Sequence, residues 1–476
     1  MNKKVDVAII GAGSAGLSAW SEVKKKTQNV IMINSGSYGT TCARVGCMPS
    51  KVFLQTANDF YRRHKFTELG ISGSDELRID AQAVMQRVRN LRDRFVRGVL
   101  SGGFKELGDR NIKGHARILS PQSIEVNGEK IAVDKLIVAT GSVVNIPSSW
   151  NLSENLIITS DSIFELNEFP KKIAVIGLGV ISLELGQAMS RLGVDVCMVG
   201  QSRRIAGLTD PQLIDEAHNI FSREFPIWVD SEVKVEQQGM DKVKVTCGER
   251  CEVFDAVFAG TGRRPNIDGL GLENLGVSLN SKGLPKIDPS TMQVENLPVY
   301  LAGDLTGERG LLHEASDEGR IAGYNAVNDK QQCFVRRAPL GIVFTDPNIV
   351  IAGSGYQGLN QEDFVSGEVS YEGQGRALVM AKNKGLLKVY GGKQDGKILG
   401  AEMLAPSGEH LGHLLAWSIQ QKLTVFDMLK MPFYHPVVEE GLRTALRDLS
   451  HKVVSSRDCS SSELAFCEAH PEGGLS

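Results

Sequence analysis

Two glycine-rich turns, each set between an apolar strand pattern and a helical one, constrain this chain more than any other feature. The first is GAGSAG, which follows the run Val5–Ile10 and opens a helical pattern reaching about Lys26; Val30–Ile33 then reads as a second strand. Strand, tight turn, helix and strand at this spacing make one βαβ unit. Gly11 permits the sharp turn, Gly13 lets the backbone approach a pyrophosphate, and Gly16 lets the helix lie on the strand, while the helix N-terminus stabilises phosphate charge. Where an acid would meet a ribose hydroxyl stands Asn34, whose amide accepts a hydrogen bond more weakly than a carboxylate.

The second turn repeats the arrangement. KIAVIG leads into Gly177, Gly179 and Ser182, a helix runs through Met189, and VDVCMV follows as a strand. Ser182 replaces the third glycine and is small enough to keep helix and strand in contact. Two such units predict an α/β chain with two Rossmann-like domains, two bound dinucleotides and hydride passing between them; a duplication with one inactive copy is the alternative. After the second unit's last strand come Gly200, Gln201, Ser202, Arg203 and Arg204, with no carboxylate for a 2′-hydroxyl. Two arginines there suit a 2′-phosphate and favour NADP over NAD, unless they are merely solvated charges.

Length and charge narrow the function. At 476 residues the chain has room for about three domains. Its 42% hydrophobic and 23% charged residues are ordinary globular values, and a net charge of −3 argues against a nucleic-acid or anionic-membrane partner. No apolar stretch approaches membrane-spanning length, and the N-terminal apolar run passes straight into a glycine turn without a cleavage site. Cys197, Cys247, Cys251 and Cys333 are scattered rather than framed as a secreted disulfide scaffold, so a cytoplasmic location is expected.

The remaining chemistry starts at TTCARVGCMPSK, residues 40–51. Cys42 and Cys47 could be a redox disulfide, half of a metal site or two structural thiols. No second Cys or His pair at ligand spacing accompanies them, so zinc is not favoured. A disulfide needs a distorted segment or one just entering its helix: five residues of ideal helix rise about 7.5 Å, whereas bridged Cα atoms lie within about 7 Å. Gly46 and Pro49 both allow such a distortion. A helix start and the nearby Lys51 would favour a thiolate.

CARVGCMPSK resembles the redox segment C-x4-C-x-P-S-K of the flavin-dependent pyridine nucleotide-disulfide oxidoreductases, which include dihydrolipoamide dehydrogenase, glutathione reductase and mercuric reductase. Further landmarks agree in order: LIVATGS (136–142), FAGTGRRPN (258–266), VYLAGD (299–304), LLHEASDEGRIAG (311–323), FTDPNIVIAG (344–353) and YHPVVEEGL (434–442). The resemblance implies a redox disulfide, with Cys42 exchanging with substrate and Cys47 facing the flavin. It also implies that Lys51 lies near the flavin N5 and pairs with Glu184. Asp304 would bind the ribityl chain of FAD, with Thr41, Thr140 and Gly141 beside the cofactor and Gly262 beside NAD or NADP. His313 is expected as a packing residue next to amides that serve the flavin's pyrimidine end.

In FYHPVVEEG, His435 is a candidate acid–base and Glu440 its orienting carboxylate, with Pro436 placed in the first turn of a helix. The resemblance implies that this pair acts on the partner subunit's thiols in a homodimer, toward a small dithiol or disulfide substrate or a lipoyl domain. Phe433, Val437 and Glu439 depart from the lipoamide pattern H-x-H-P-T-x-S-E, as do Arg44 and Thr40 around the cysteines. The expected plan is an FAD domain over 1–150 and 281–335, a nicotinamide domain over 151–280, and an α+β dimerisation domain over 336–452 with helices on one side of an antiparallel sheet. The Ser-rich tail 453–476 carries Cys459 and Cys467 and is expected to be a surface extension.

Overall fold

A computed structural model of the chain describes residues 3–454 together with residues 463 and 464. Three sheets organise it. In the first, Asn111–Lys113, Val30–Asn34, Lys3–Ile10 and Glu129–Val138 run in parallel, followed by the antiparallel strands Ser123–Val126 and Ala116–Ser120. Val299–Leu301 joins the far part of Glu129–Val138 in parallel, so the chain returns to this sheet after an excursion of about a third of its length. Both faces of the central strand are buried, as in a sheet covered on two sides. Val7 and Ile9 pack with Ala15, Ala19 and Trp20, whereas Val5, Ala8 and Ile10 pack with Ile118, Ile124 and Leu136.

Two helices on the first of those faces decide where the site forms. Ser14–Val23 and Leu312–Ala326 touch backbone to backbone: a Cβ on Gly319 would lie 2.1 Å from the carbonyl oxygen of Ala15, and one on Gly323 would lie 2.6 Å from that of Ala19. The glycines therefore allow a helix pair too close for side chains. Their N-termini both open onto one cavity.

The second sheet is parallel throughout, in the order Ile227–Trp228, Asp195–Val199, Lys172–Ile176, Ala256–Ala259 and Ile157–Ile158. A three-stranded antiparallel sheet, Val233–Gln238, Lys242–Cys247 and Arg250–Phe254, contributes Val235, Val243, Val245 and Phe254 to a core shared with Ala174 and Ile176. The two chain crossings between the nucleotide-binding units pair as short antiparallel strands, Ser142–Val144 with Arg263–Pro265. Arg263 secures that joint through Ser142: its Nε donates to the hydroxyl at 2.8 Å and its Nη2 to the backbone carbonyl at 2.8 Å.

The third sheet is antiparallel, in the order Leu340–Val343, Asn348–Gly353, Ile398–Ala405, Leu386–Gly392 and Phe364–Ser370. Period-two alternation divides its faces. Leu387, Val389, Ala401 and Met403 meet Leu411 and Leu415 of helix Gly408–Gln420, and Leu442 and Leu449 of helix Glu439–Lys452. The helices thus cover one side, as the sequence pattern predicts. The opposite face rests on the second nucleotide unit through a buried polar seam. Glu402, fully buried, accepts the amides of Thr209 at 2.8 Å, Asp210 at 3.1 Å and Tyr356 at 2.8 Å. Asp210 in turn pairs with Lys388 at 2.9 Å and accepts from the Tyr390 hydroxyl at 3.2 Å.

A second buried junction ties all three units together. Arg191 donates to both oxygens of Glu224 at 2.7 and 2.8 Å, to Asn58 at 2.6 Å and to Asp346 at 3.2 Å. Its side chain and that of Glu224 are nearly inaccessible, so each charge depends on the other for compensation.

Candidate active site

The cysteine segment explains its own distortion. Thr41–Val45 is one turn of helix, and a second helix, Cys47–Tyr61, starts immediately after Gly46. At Gly46 the backbone leaves the helical region, with φ −125° and ψ −122°. A Cβ there would sit 3.0 Å from the Thr41 carbonyl oxygen and 3.2 Å from the Cys42 Cα, tighter than ordinary contacts, so glycine suits the point where the chain folds back on itself. The break brings Cys47 against Cys42. Thr40, just ahead, holds φ +60° and ψ 151°, a region that disfavours a β-branched residue, and its side chain accepts the Ala43 amide at 3.3 Å.

Both cysteines are free thiols here and line the same cavity. A hydrogen bond between the two sulfurs lowers the Cys47 thiol to about 6; the Lys51 charge assists, and burial opposes. The same hydrogen bond, with burial, pushes Cys42 up. Cys47 therefore holds the thiolate and Cys42 the proton. The helix N-terminus at Cys47 favours the same division.

One turn further along that helix, Lys51 Nζ lies 2.8 and 3.0 Å from the two oxygens of Glu184. Glu184 comes from helix Val180–Arg191 of the second nucleotide unit and is buried; its carboxylate also accepts the Phe344 amide at 2.8 Å. The Lys51 ammonium stands 4.7 Å from the centre of the Phe344 ring. Val180 and Ile181, the first residues of the same helix, reach the cavity too.

The cavity, of about 410 Å³, has the lining an FAD needs. A Cβ on Gly13 or Gly141 would meet nothing within 4 Å, so both backbones are bare toward open space. Asp304 lies on the wall with one oxygen accepting from the Ser142 hydroxyl at 3.0 Å, leaving the other for a ligand hydroxyl. His313 stands at the start of helix Leu312–Ala326, and the helix N-terminus suits a partial negative charge. Gly11, at φ +106°, makes the turn, and Gly16 lies against the Gly11 carbonyl at a distance no side chain would permit.

Other expected residues sit off this wall. Asn34 Oδ1 accepts the Ala12 amide at 3.4 Å and its Nδ2 donates to the Gly36 carbonyl, so it braces the glycine turn. The Thr140 hydroxyl donates to the Asn266 carbonyl at 2.7 Å, while Thr41 does line the cavity. Gly177, Gly179, Ser182 and Gly262 form the second loop cluster. Ser182 is buried, and its hydroxyl donates to the Gly260 carbonyl at 3.5 Å, so close that a Cβ on Gly260 would not fit. Arg203 and Arg204 are exposed beyond strand Asp195–Val199, but Arg203 is engaged by Asp215 at 2.7 Å and its carbonyl by His218 at 2.8 Å.

His435 and Glu440 come together as expected: the imidazole Nδ1 lies 3.1 Å from both carboxylate oxygens. The expected role of Pro436 in a first helical turn is incorrect. The helix begins at Glu439, and Pro436 follows a cis peptide bond in the preceding loop. That loop folds back so that the Val437 amide also donates to Glu440, at 3.3 Å. Hydrogen bonding from His435 holds the Glu440 carboxyl below its ordinary range. The His435 side chain is 80% exposed and does not line its own chain's cavity.

Sequence reasoning missed His413, which faces the cavity with its Nδ1 2.6 Å from the Glu409 carbonyl oxygen. Nothing in the amphipathic pattern of its helix distinguishes it from a surface histidine. Cys459 and Cys467 lie outside the described residues. Among the described residues no helix is long and apolar enough to cross a membrane.

Comparison with known proteins agrees with this geometry. Residues 5–319 match the family described as pyridine nucleotide-disulphide oxidoreductase, and residues 340–446 match its dimerisation domain. A mercuric reductase of Staphylococcus aureus is 30% identical over 469 residues, covering 95% of this chain and 84% of that protein. Mitochondrial dihydrolipoyl dehydrogenase 1 of Arabidopsis thaliana is 30% identical over 461 residues, covering 92% and 89%. In fold, LpdA of Mycobacterium tuberculosis superposes with a TM-score of 0.81 at 22% identity, over 93% of this chain and 99% of that one. The flavoprotein disulfide reductase RclA of Escherichia coli gives 0.78 at 21%, over 93% and 99%. The chain belongs to the pyridine nucleotide-disulphide oxidoreductases, with FAD and NAD or NADP as its cofactors.

Proposed function

We propose that the chain acts as a homodimer, moving electron pairs between a small dithiol or disulfide and NAD or NADP, with dihydrolipoamide as the nearest substrate type. The placement of Cys42 and Cys47 together on one cavity wall, with the Lys51–Glu184 pair beside Cys47, carries this reading, because exchange requires one thiol for substrate and one stabilised as a thiolate. In dithiol oxidation a substrate thiolate attacks Cys42 of the Cys42–Cys47 disulfide and releases Cys47 as a thiolate. The second substrate thiol, losing its proton to His435, attacks the substrate sulfur of that mixed disulfide. Substrate disulfide leaves, and two electrons remain in the reduced pair. Bound FAD supplies a carrier for that electron pair between Cys47 and the nicotinamide. Lys51, held by Glu184, keeps a positive charge beside Cys47.

The exposure of His435 supports a dimeric site, with the pair serving the partner's thiols. A second reading, an NADP-dependent reductase of another small disulfide, is supported by the missing carboxylate after strand Asp195–Val199 and by the exposed Arg204. Anaerobic two-electron reduction should produce a long-wavelength thiolate-to-flavin absorption band, absent in Cys47→Ser. No band in the wild type, with Cys47→Ser behaving identically, would refute the disulfide mechanism. Steady-state rates with lipoamide and glutathione disulfide, each with NAD(H) and NADP(H), separate the two readings.

A further inference from the structure

On its own helix the His435–Glu440 pair has one charged neighbour, Arg443, whose Nη2 donates to Glu440 Oε1 at 3.4 Å. His435 is exposed, so its orientation rests on Glu440 and the backbone of the loop between them. That loop bends back on Glu440 through the Val437 amide, at 3.3 Å. What holds Val437 lies more than sixty residues earlier, in the turn after strand Phe364–Ser370. The Gln374 side-chain amide donates to the Val437 carbonyl at 2.8 Å. Its oxygen accepts the Ala377 amide at 2.7 Å, capping helix Gly375–Val379. With its oxygen committed to an N–H, the Gln374 amide presents only donors to Val437, and a flipped amide would lose both bonds. On the other side of Glu440, Gly441 lies against the Tyr371 ring: a Cβ there would be 2.9 Å from the Tyr371 hydroxyl oxygen. Tyr371 is fully buried, and among the described residues its hydroxyl has no hydrogen-bond partner, so its ring acts here as a rigid packing floor.

We infer that Gln374 is a positioning residue for the acid–base pair, acting through Val437 and Glu440 on the orientation of His435, with Tyr371 fixing the helix start from below. The inference rests on the proposed role of His435 and Glu440. Gln374 never touches substrate; it sets how far the Val437 amide can follow the Glu440 carboxylate. Losing its donor frees the loop, loosens Glu440 and leaves the imidazole without a fixed Nδ1–H acceptor. The cost falls on proton transfer during thiol–disulfide exchange. Binding of nicotinamide and the state of Cys47 stay as they were.

Gln374→Glu is the discriminating variant, because a carboxylate keeps the acceptor for the Ala377 amide while facing the Val437 carbonyl with another acceptor. Gln374→Met, which loses both bonds, is the second variant in case the charge prevents folding; flavin content and thermal melting identify a folded protein. The expected result is a kcat for disulfide exchange down about tenfold with KM little changed. For dithiol oxidation, in which His435 acts as the base, the acid limb of the pH profile should move to lower pH. Flavin reduction by NAD(P)H and the thiolate-to-flavin band should match wild type. Combined with Glu440→Gln, the Gln374 variant should add less than about twofold to the loss from Glu440→Gln alone. Full additivity, or an unchanged pH profile in a folded Gln374 variant beside a defective His435→Gln, overturns this inference alone. A His435→Gln enzyme with wild-type exchange overturns the acid–base reading itself and this inference with it.

Discussion

Lys51 and Glu184 belong to different nucleotide-binding units, yet their side chains meet at 2.8 Å beside the Cys47 sulfur. The same carboxylate accepts an amide from the third unit, at Phe344. The charge next to the thiol is therefore set by the docking of all three parts of the molecule. Lys51→Met should raise the pH midpoint of Cys47 ionisation by about one unit, since an adjacent cation stabilises the thiolate. Thiolate ultraviolet absorbance of the reduced protein measures it; an unmoved midpoint would assign the low value to Cys42 alone.

The sign of the pH dependence follows from Cys47 being held at about 6. Above that pH the thiolate persists, and below it the sulfur is protonated. Alkylation of reduced Cys47 by iodoacetamide should therefore be pH-independent between about 7 and 8 and fall as pH drops through 6, whereas an ordinary thiol still gains reactivity up to about 8.5. Cys42→Ala removes the hydrogen-bond donor to Cys47, so the midpoint should rise.

Thr40 occupies backbone space that suits glycine, at φ +60°. Such strain costs about 1–3 kcal/mol, while replacing a threonine cap by glycine costs only a few tenths. Thr40→Gly should therefore stabilise the protein by about 1 kcal/mol, and Thr40→Ala should destabilise it by a similar amount. Denaturant unfolding of both variants gives the comparison.

Arg191→Met would leave Glu224 buried without its partner. Destabilisation of about 3–5 kcal/mol is expected, and replacing both residues by apolar ones of similar volume should recover most of it. Equal losses in the single and double variants would show that packing, rather than charge, is at issue.

Asp215 holds Arg203 at 2.7 Å, so under the NADP-dependent reading it would compete with a 2′-phosphate for that guanidinium. Asp215→Asn should raise the ratio of kcat/KM for NADPH over NADH about threefold to tenfold, and Arg204→Ser should lower it. A ratio indifferent to both changes would place coenzyme selection elsewhere.

Local order was legible in the sequence wherever residue type and spacing carry their own geometry. The two glycine loops, the Cys42–Cys47 segment and the proximity of His435 to Glu440 are of this kind. Gly46 was legible as a permissive residue, but the crowding that favours it there, the approach of Thr41 and Cys42, appears only in three dimensions. Pro436 was misread because proline suits a first helical turn and equally suits the loop before it. The seam of Glu402, Asp210 and Lys388 left no sequence signal, since Asp210 lies about 180 to 190 residues from the other two and all three look like ordinary surface charges until packing buries them. Gln374 was invisible for the same reason.

The outward exposure of His435 has a genetic consequence under the proposed arrangement. A chain lacking Cys42 and a chain lacking His435 would each form only dead dimers. Co-expressed, they would assemble mixed dimers in which one chain's intact thiols face the other chain's intact histidine. Two null alleles would complement each other, restoring one working centre of the two in every mixed pair.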